Sequence, residues 1–138
     1  MSRAGYTEDA DDNWELIKWR GQVASATRGK RGQALFRELL EALDALPEKR
    51  LIAGDLVRMG EGDVLQCCTL GALGVKRGLD MSEIDPEDYD AVANAFDAKH
   101  QLVREIEWMN DELHYKSPEE RWERMRSWVA KQIIPETV

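Results

Sequence analysis

A chain of 138 residues with a net charge of −8 is sized for one domain and can bury a genuine core. Its 43% hydrophobic residues exclude a disordered chain, and no apolar run is long enough to suggest a membrane-spanning helix. The acidic balance argues against general nucleic-acid affinity, which needs a cationic face to displace counterions, and favours solubility and basic partners. The opening Met1-Ser2-Arg3-Ala4-Gly5-Tyr6 has no apolar export region, and the only cysteines are adjacent, Cys67 and Cys68. Neighbouring cysteines make no disulfide framework, so a reducing, cytoplasmic setting is expected.

In chain order, residues 1–11 read as a loosely ordered arm before a helix capped by Asp12 or Asn13. Trp14, Ile17, Gly21 and Ala24 share one face of that helix, with Leu16, Trp19 and Val23 alongside. Gly29 and Gly32 punctuate the chain, and a second helix follows from Gln33. Its apolar stripe is Leu35, Phe36, Leu39, Leu40, Leu43 and Leu46, and Pro47 stops it. Residues 50–57 and 63–68 flank a glycine-rich turn and suggest a hairpin, although residues 51–57 would also suit a short helix.

A short helix is expected from Thr69, ending at Lys76-Arg77-Gly78. Asp85-Pro86 reads as the next helix start, because proline at a first helical position gives up only an N–H that would be unpaired anyway. Tyr89, Val92 and Phe96 should face inward, and a break near Asp97 should precede a helix carrying Leu102, Val103, Ile106 and Met109. Ser117-Pro118-Glu119-Glu120 is a capping box opening a last helix with Trp122, Met125, Val129 and Ile133 on one side. The expected fold is one mainly α domain over residues 1–138, with five or six helices in a bundle-like arrangement and one short β-hairpin. The tryptophan pairs Trp14/Trp19 and Trp122/Trp128 are expected in core or rim packing, and their helical spacing leaves room for one ring of each pair at an interface.

The chemistry is sparse. Cys68, at a helix N-terminus, is the one candidate nucleophile, since helix N–H groups favour a thiolate. His100 or His114 would be its base, with Asn110 or Asp111 as orienting group. The competing reading, a buried cysteine packing as a small hydrophobe, is preferred. Two adjacent cysteines and two distant histidines do not make a metal site, and no cofactor is expected. Asn110 and Asp111 could present polar groups to a small ligand, or could only end a helix locally, which is the preferred reading.

Charge is segregated. Residues 17–37 carry Lys18, Arg20, Arg28, Lys30, Arg31 and Arg37 and no acid. Residues 80–97 carry seven carboxylates and no base, among them Asp85, Glu87 and Asp88. Arg28-Gly29-Lys30-Arg31-Gly32 is not a phosphate loop, because it lacks the earlier glycine, the Ser or Thr after the lysine and a preceding strand. Its cations could still grip a phosphate or an acidic surface beside a helix N-terminus, although an exposed turn with no function is the preferred reading. The acidic stretch allows nucleic-acid mimicry, and the plain alternative is two solvated faces that balance each other.

Five short motifs recur together: Ser2-Arg3-Ala4-Gly5-Tyr6, Arg28-Gly29-Lys30-Arg31-Gly32-Gln33, Cys68-Thr69-Leu70-Gly71-Ala72-Leu73, Asn110-Asp111-Glu112 and Ser117-Pro118-Glu119-Glu120-Arg121-Trp122. As an ordered set they resemble a family of small phage and prophage proteins to which no catalytic residues are assigned. The resemblance implies a small product made in the cytoplasm of an infected bacterium. The expected function is non-enzymatic binding of a host macromolecule, including inhibition of a defence or nucleic-acid-processing system, with a host protein as partner and homo-oligomerisation left open. The alternatives are a cysteine-dependent hydrolase or transferase centred on Cys68 and a small-ligand-binding protein.

Overall fold

A computed structural model describes residues 13–135, with side chains from residue 16 onward. The expected arm and the candidate cap Asp12 lie outside these residues, as does the side chain of Trp14. Six helices and one antiparallel hairpin follow in the order α1 (Asn13–Arg28), α2 (Lys30–Ala45), β1 (Val57–Met59), β2 (Val64–Cys67), α3 (Thr69–Arg77), α4 (Tyr89–Phe96), α5 (His100–Asp111) and α6 (Pro118–Gln132). This is the mainly α architecture with a small hairpin that the pattern of apolar residues predicts.

The α2 stripe supplies Phe36, Leu39 and Leu43, all fully buried, and packs between α3 and α6. Its last turn stops at Ala45 because Leu46 precedes Pro47 and takes an extended conformation, φ −61° and ψ 130°. The first turn starts at Lys30, three residues before the position expected. Gly32 is therefore not punctuation. A Cβ there would sit 1.9 Å from the Ala26 carbonyl oxygen, so glycine lets the start of α2 cross the end of α1 backbone to backbone.

Helix α5 is the second organiser. Leu102, Val103 and Ile106 are buried, and α1, α3 and α4 pack on it. The packed side of α1 is Trp19, Val23 and Ala26, whereas Ile17 is 60% exposed and Gly21 faces out. The face grouped around Ile17 and Gly21 is thus turned away from the core. The position of α5, which no local pattern reveals, decides which stripe of α1 is covered. Helix α4 begins at Tyr89 with Asp88 as its cap, and not at Pro86. Asp85 instead closes a turn, accepting from the Glu87 N–H at 2.9 Å, and Asp88 accepts from the Ala91 N–H at 3.1 Å. The break at Asp97 is a left-handed cap, φ 51°.

Residues 51–56 are neither strand nor helix. They run as a loop whose Leu51, Ile52 and Leu56 side chains are buried. Its backbone is bonded across the domain, Leu51 N–H to the Pro118 carbonyl at 3.0 Å and Ile52 N–H to the Cys67 carbonyl at 2.9 Å. The hairpin pairs Val57 with Cys67 and Arg58 with Gln66, then shifts register to pair Met59 with Val64. Both Trp122 and Trp128 are half-buried. The Trp122 indole donates to the Leu43 carbonyl at 2.9 Å, and Trp128 meets Phe36 edge-on with centroids 5.6 Å apart. Both rings take the packing role preferred for the pair, each closing the α2–α6 seam, and neither is a free surface tryptophan.

Candidate functional site

The C-terminal end of α5 meets the N-terminal end of α3. Asn110 is fully buried there. Its Oδ1 accepts from the Thr69 N–H at 3.1 Å and from Thr69 Oγ1 at 2.8 Å, and its Nδ2 donates to the Ile52 carbonyl at 2.9 Å and to Asp111 Oδ1 at 2.8 Å. The same Asp111 oxygen takes the Gly54 N–H at 3.1 Å, and Arg121 Nε donates to the Asn110 carbonyl at 2.8 Å. Asn110 therefore remains helical and acts over long range. It is neither the local helix end favoured from its residue type nor a group presented to solvent. Its side-chain amide joins α5 to the loop after α2 and the start of α3, and its backbone carbonyl ties in α6.

Cys68 occupies the cap position of α3 as expected, and its sulfur accepts from the Gly71 N–H at 3.3 Å. It is only 1% exposed. Cys67 is buried too, although alternation along an extended strand would turn it outward. It packs against Gly71, where a Cβ would lie 2.9 Å from Cys67 Cβ and 1.9 Å from the Leu56 carbonyl oxygen. Burial, with a smaller contribution from the adjacent Cys68, pushes the Cys67 thiol up to about 12.

The histidines are elsewhere. His114 is exposed on the connection between α5 and α6. His100 begins α5, ten residues and roughly 15 Å of helix rise from Asn110. There it lies between Trp19 and Tyr89, at centroid distances of 6.1 and 6.0 Å. The Arg104 guanidinium, one turn on, lies 4.4 Å from the Trp19 centroid and 4.6 Å from that of Tyr89. This cluster fixes the N-terminal end of α5 against α1 and α4. Among the described residues no three His, Cys, Asp or Glu side chains gather to hold a metal ion.

The charged segments are placed more openly. Arg28, Lys30 and Arg31 are exposed at the α1–α2 turn. Arg31 reaches α4, donating to the Asp97 carbonyl at 3.0 Å and to its Oδ1 at 2.9 Å. Among the described residues this is the direct ion pair between the basic and acidic segments. Asp80, Glu83, Asp85, Glu87, Asp88 and Asp90 are exposed, and none is ion-paired with a described residue. The acids of α2 behave differently. Glu38 pairs with Arg77 at 2.7 Å and Asp44 with Arg126 at 2.6 Å, and these hydrogen-bonded guanidiniums hold both carboxyls below their ordinary range.

Sequence patterns passed over three participants. Gln33 is a second buried clamp. Its Nε2 donates to the carbonyls of Thr27 and Gln132 at 2.8 and 2.9 Å, and its Oε1 accepts from the Ile134 N–H at 2.8 Å. Glu107 is a fully buried carboxylate on α5. Lys99 caps α5 with no side-chain hydrogen bond and lines the same cleft as Lys30 and Arg31. A lysine where Ser, Asp or Asn is preferred is the sequence signal that could have marked it. Comparison of the chain with models of known families, with curated proteins and with solved structures gives no match.

Proposed function

We propose that the protein acts by binding and not by catalysis, as a phage-type accessory protein that engages a host protein through the acidic surface of residues 80–90. The observation that carries this is the contrast among its carboxylates. Those on α2 are matched by Arg77 and Arg126, whereas six exposed carboxylates in residues 80–90 form no ion pair with a described residue. Three of them are also held in place. Asp80 Oδ1 accepts from the N–H and hydroxyl of Ser82, Asp85 and Asp88 close turns, and the buried Met81 side chain pins the segment to α3 at Gly74. Each closing turn engages one carboxylate oxygen and leaves the other for a partner. A fixed array of like charge steers association and selects a basic surface. It also supports inhibition of a nucleic-acid-processing system, whose groove would be basic.

The cysteine-hydrolase alternative draws no such support. Its nucleophile is buried, and both polar atoms of its orienting residue are engaged in holding the backbone. The test is capture of a host partner from bacterial lysate with the wild type and two charge-reversed variants. Asp85→Lys/Glu87→Lys/Asp88→Lys should lose the partner. Arg28→Glu/Lys30→Glu/Arg31→Glu should keep it. Loss on reversing only the basic turn would reassign the surface, and retention by both variants would remove charge as the basis of binding.

A further inference from the structure

We propose that the cleft between the α1–α2 turn and the start of α5 binds a small phosphate-bearing molecule, at a site separate from the acidic surface. The cleft has a volume of about 240 Å³ and an apolar floor of Ala26, Leu35 and Leu102. Lys30, Arg31 and Lys99 line it. It adjoins a second hollow of about 370 Å³, with Ser25 and Lys99 on both, and Lys18, Gln22 and Gln101 beyond them. Three cations, Lys30, Arg31 and Lys99, thus line the cleft, and Lys18 and Lys99 line the adjoining hollow, in a protein whose net charge is −8. Among the described residues Asp97 is the one carboxylate lining either hollow, and it is held by Arg31 at the rim. A cationic wall over an apolar floor suits an oxyanion carried on a compact organic group.

The backbone acts in the same direction. The first turns of α2 and α5 both border the cleft, and neither has a side-chain cap or an acidic residue. The N–H groups of Lys30, Arg31 and Gly32 have no intrahelical acceptor, since Gln33 is the first to bond back, to the Gly29 carbonyl at 2.9 Å. Cations at these positions oppose the positive ends of two helix dipoles, where acids would be more stable. The arrangement is unfavourable for the protein alone and is relieved when an anion sits among the N–H groups and the cations. It is also rigid. Gly32 lets α2 start against Ala26, and the Trp19, Tyr89 and Arg104 cluster fixes His100 at the start of α5. Phosphate suits this geometry, because its oxygens accept from several donors at once.

The test uses the full chain with pyrophosphate and, separately, ADP, each against sodium chloride at equal ionic strength. The melting temperature should rise by several degrees at millimolar pyrophosphate and not with chloride. Amide resonances of residues 30–32, 100 and 101 should shift with saturation in a ¹⁵N-correlated titration. Tighter binding of ADP would assign the adjoining hollow to the organic part, and equal binding would confine recognition to the phosphate. Lys99→Asp adds a cap and removes a cation, so the unliganded variant should melt no lower than the wild type while its affinity for pyrophosphate falls at least tenfold. No response beyond chloride, shifts spread over the surface, or undiminished binding by Lys99→Asp would overturn the assignment. Because the acidic surface is untouched, loss of a host partner in the capture experiment and loss of pyrophosphate binding here report on different sites.

Discussion

The two ends of α5 are built to opposite rules. At its C-terminal end Asn110 is fully buried, and its side-chain oxygen and nitrogen both bond to other parts of the fold. At its N-terminal end Lys99 leaves the helix uncapped beside a cleft, with Lys30 and Arg31 opposite. One end satisfies its polar groups internally and the other directs them to solvent. Polar residues that answer one another across the core hold a fold together, and polar residues that oppose the local field mark a place where something else is to be held.

The sharpest way to break the inward end is Gly71→Ala. Its Cβ would fall 1.9 Å from the Leu56 carbonyl oxygen, so the hairpin base and α3 must separate. Overpacking of this kind costs about 3 kcal/mol or more, readable as a lowered urea midpoint. A loss below about 1 kcal/mol would show that the junction yields easily. Next comes Asn110→Ala, which strips partners from the buried Thr69 N–H and the Ile52 carbonyl. Leaving such groups unsatisfied should cost about 3 kcal/mol by the same measurement. A near-neutral result would mean that water reaches the clamp.

The outward end should respond with the opposite sign. Gly29 has φ −68° and ψ 164°, a cap conformation that aspartate adopts without strain. Gly29→Asp should therefore stabilise the unliganded protein by about 0.5 kcal/mol, by capping α2 and complementing its dipole. Destabilisation would show that the exposed N–H groups already have what they need.

The smallest effect concerns the surface pairs. The carboxyls of Glu38 and Asp44 titrate below their ordinary values of 4.5 and 3.8 because Arg77 and Arg126 donate to them. Their contribution is present above those ordinary values and is lost as pH falls through the lowered folded ones. Thermal unfolding between pH 5 and 2 should show a drop that is shallower in Arg77→Met. An identical pH profile would mean that these exposed pairs contribute nothing measurable, as many do.

Most of the fold was legible in the sequence because local chemistry decided it. Ser117 accepts from the Glu120 N–H at 3.0 Å, Gly78 ends α3 in the left-handed region, and Pro47 limits α2. What escaped was set by distant partners. The short motifs singled out in the sequence looked like candidate chemistry, yet Thr69, Asn110 and Arg121 come from three of them and meet in one clamp. Gln33, at the end of a fourth, ties the α1–α2 turn to the end of α6. A buried amide and an exposed one read alike in a sequence. The cleft was half visible, since Lys18, Lys30 and Arg31 were marked by their run of charge, but Lys99 joined them only through the packing of α1 on α5.

The Asn110 clamp also bears on the order in which the chain acquires its shape. It joins residues 58 and 41 positions apart, and the Leu51 to Pro118 bond spans still more of the chain. Contacts of such separation carry a large loop-closure entropy and form after the helices have collapsed. A latch set late would govern how slowly the native state opens more than how fast it is reached. Where proteases cleave the opened chain, residence time in the closed state is the property that such a latch controls.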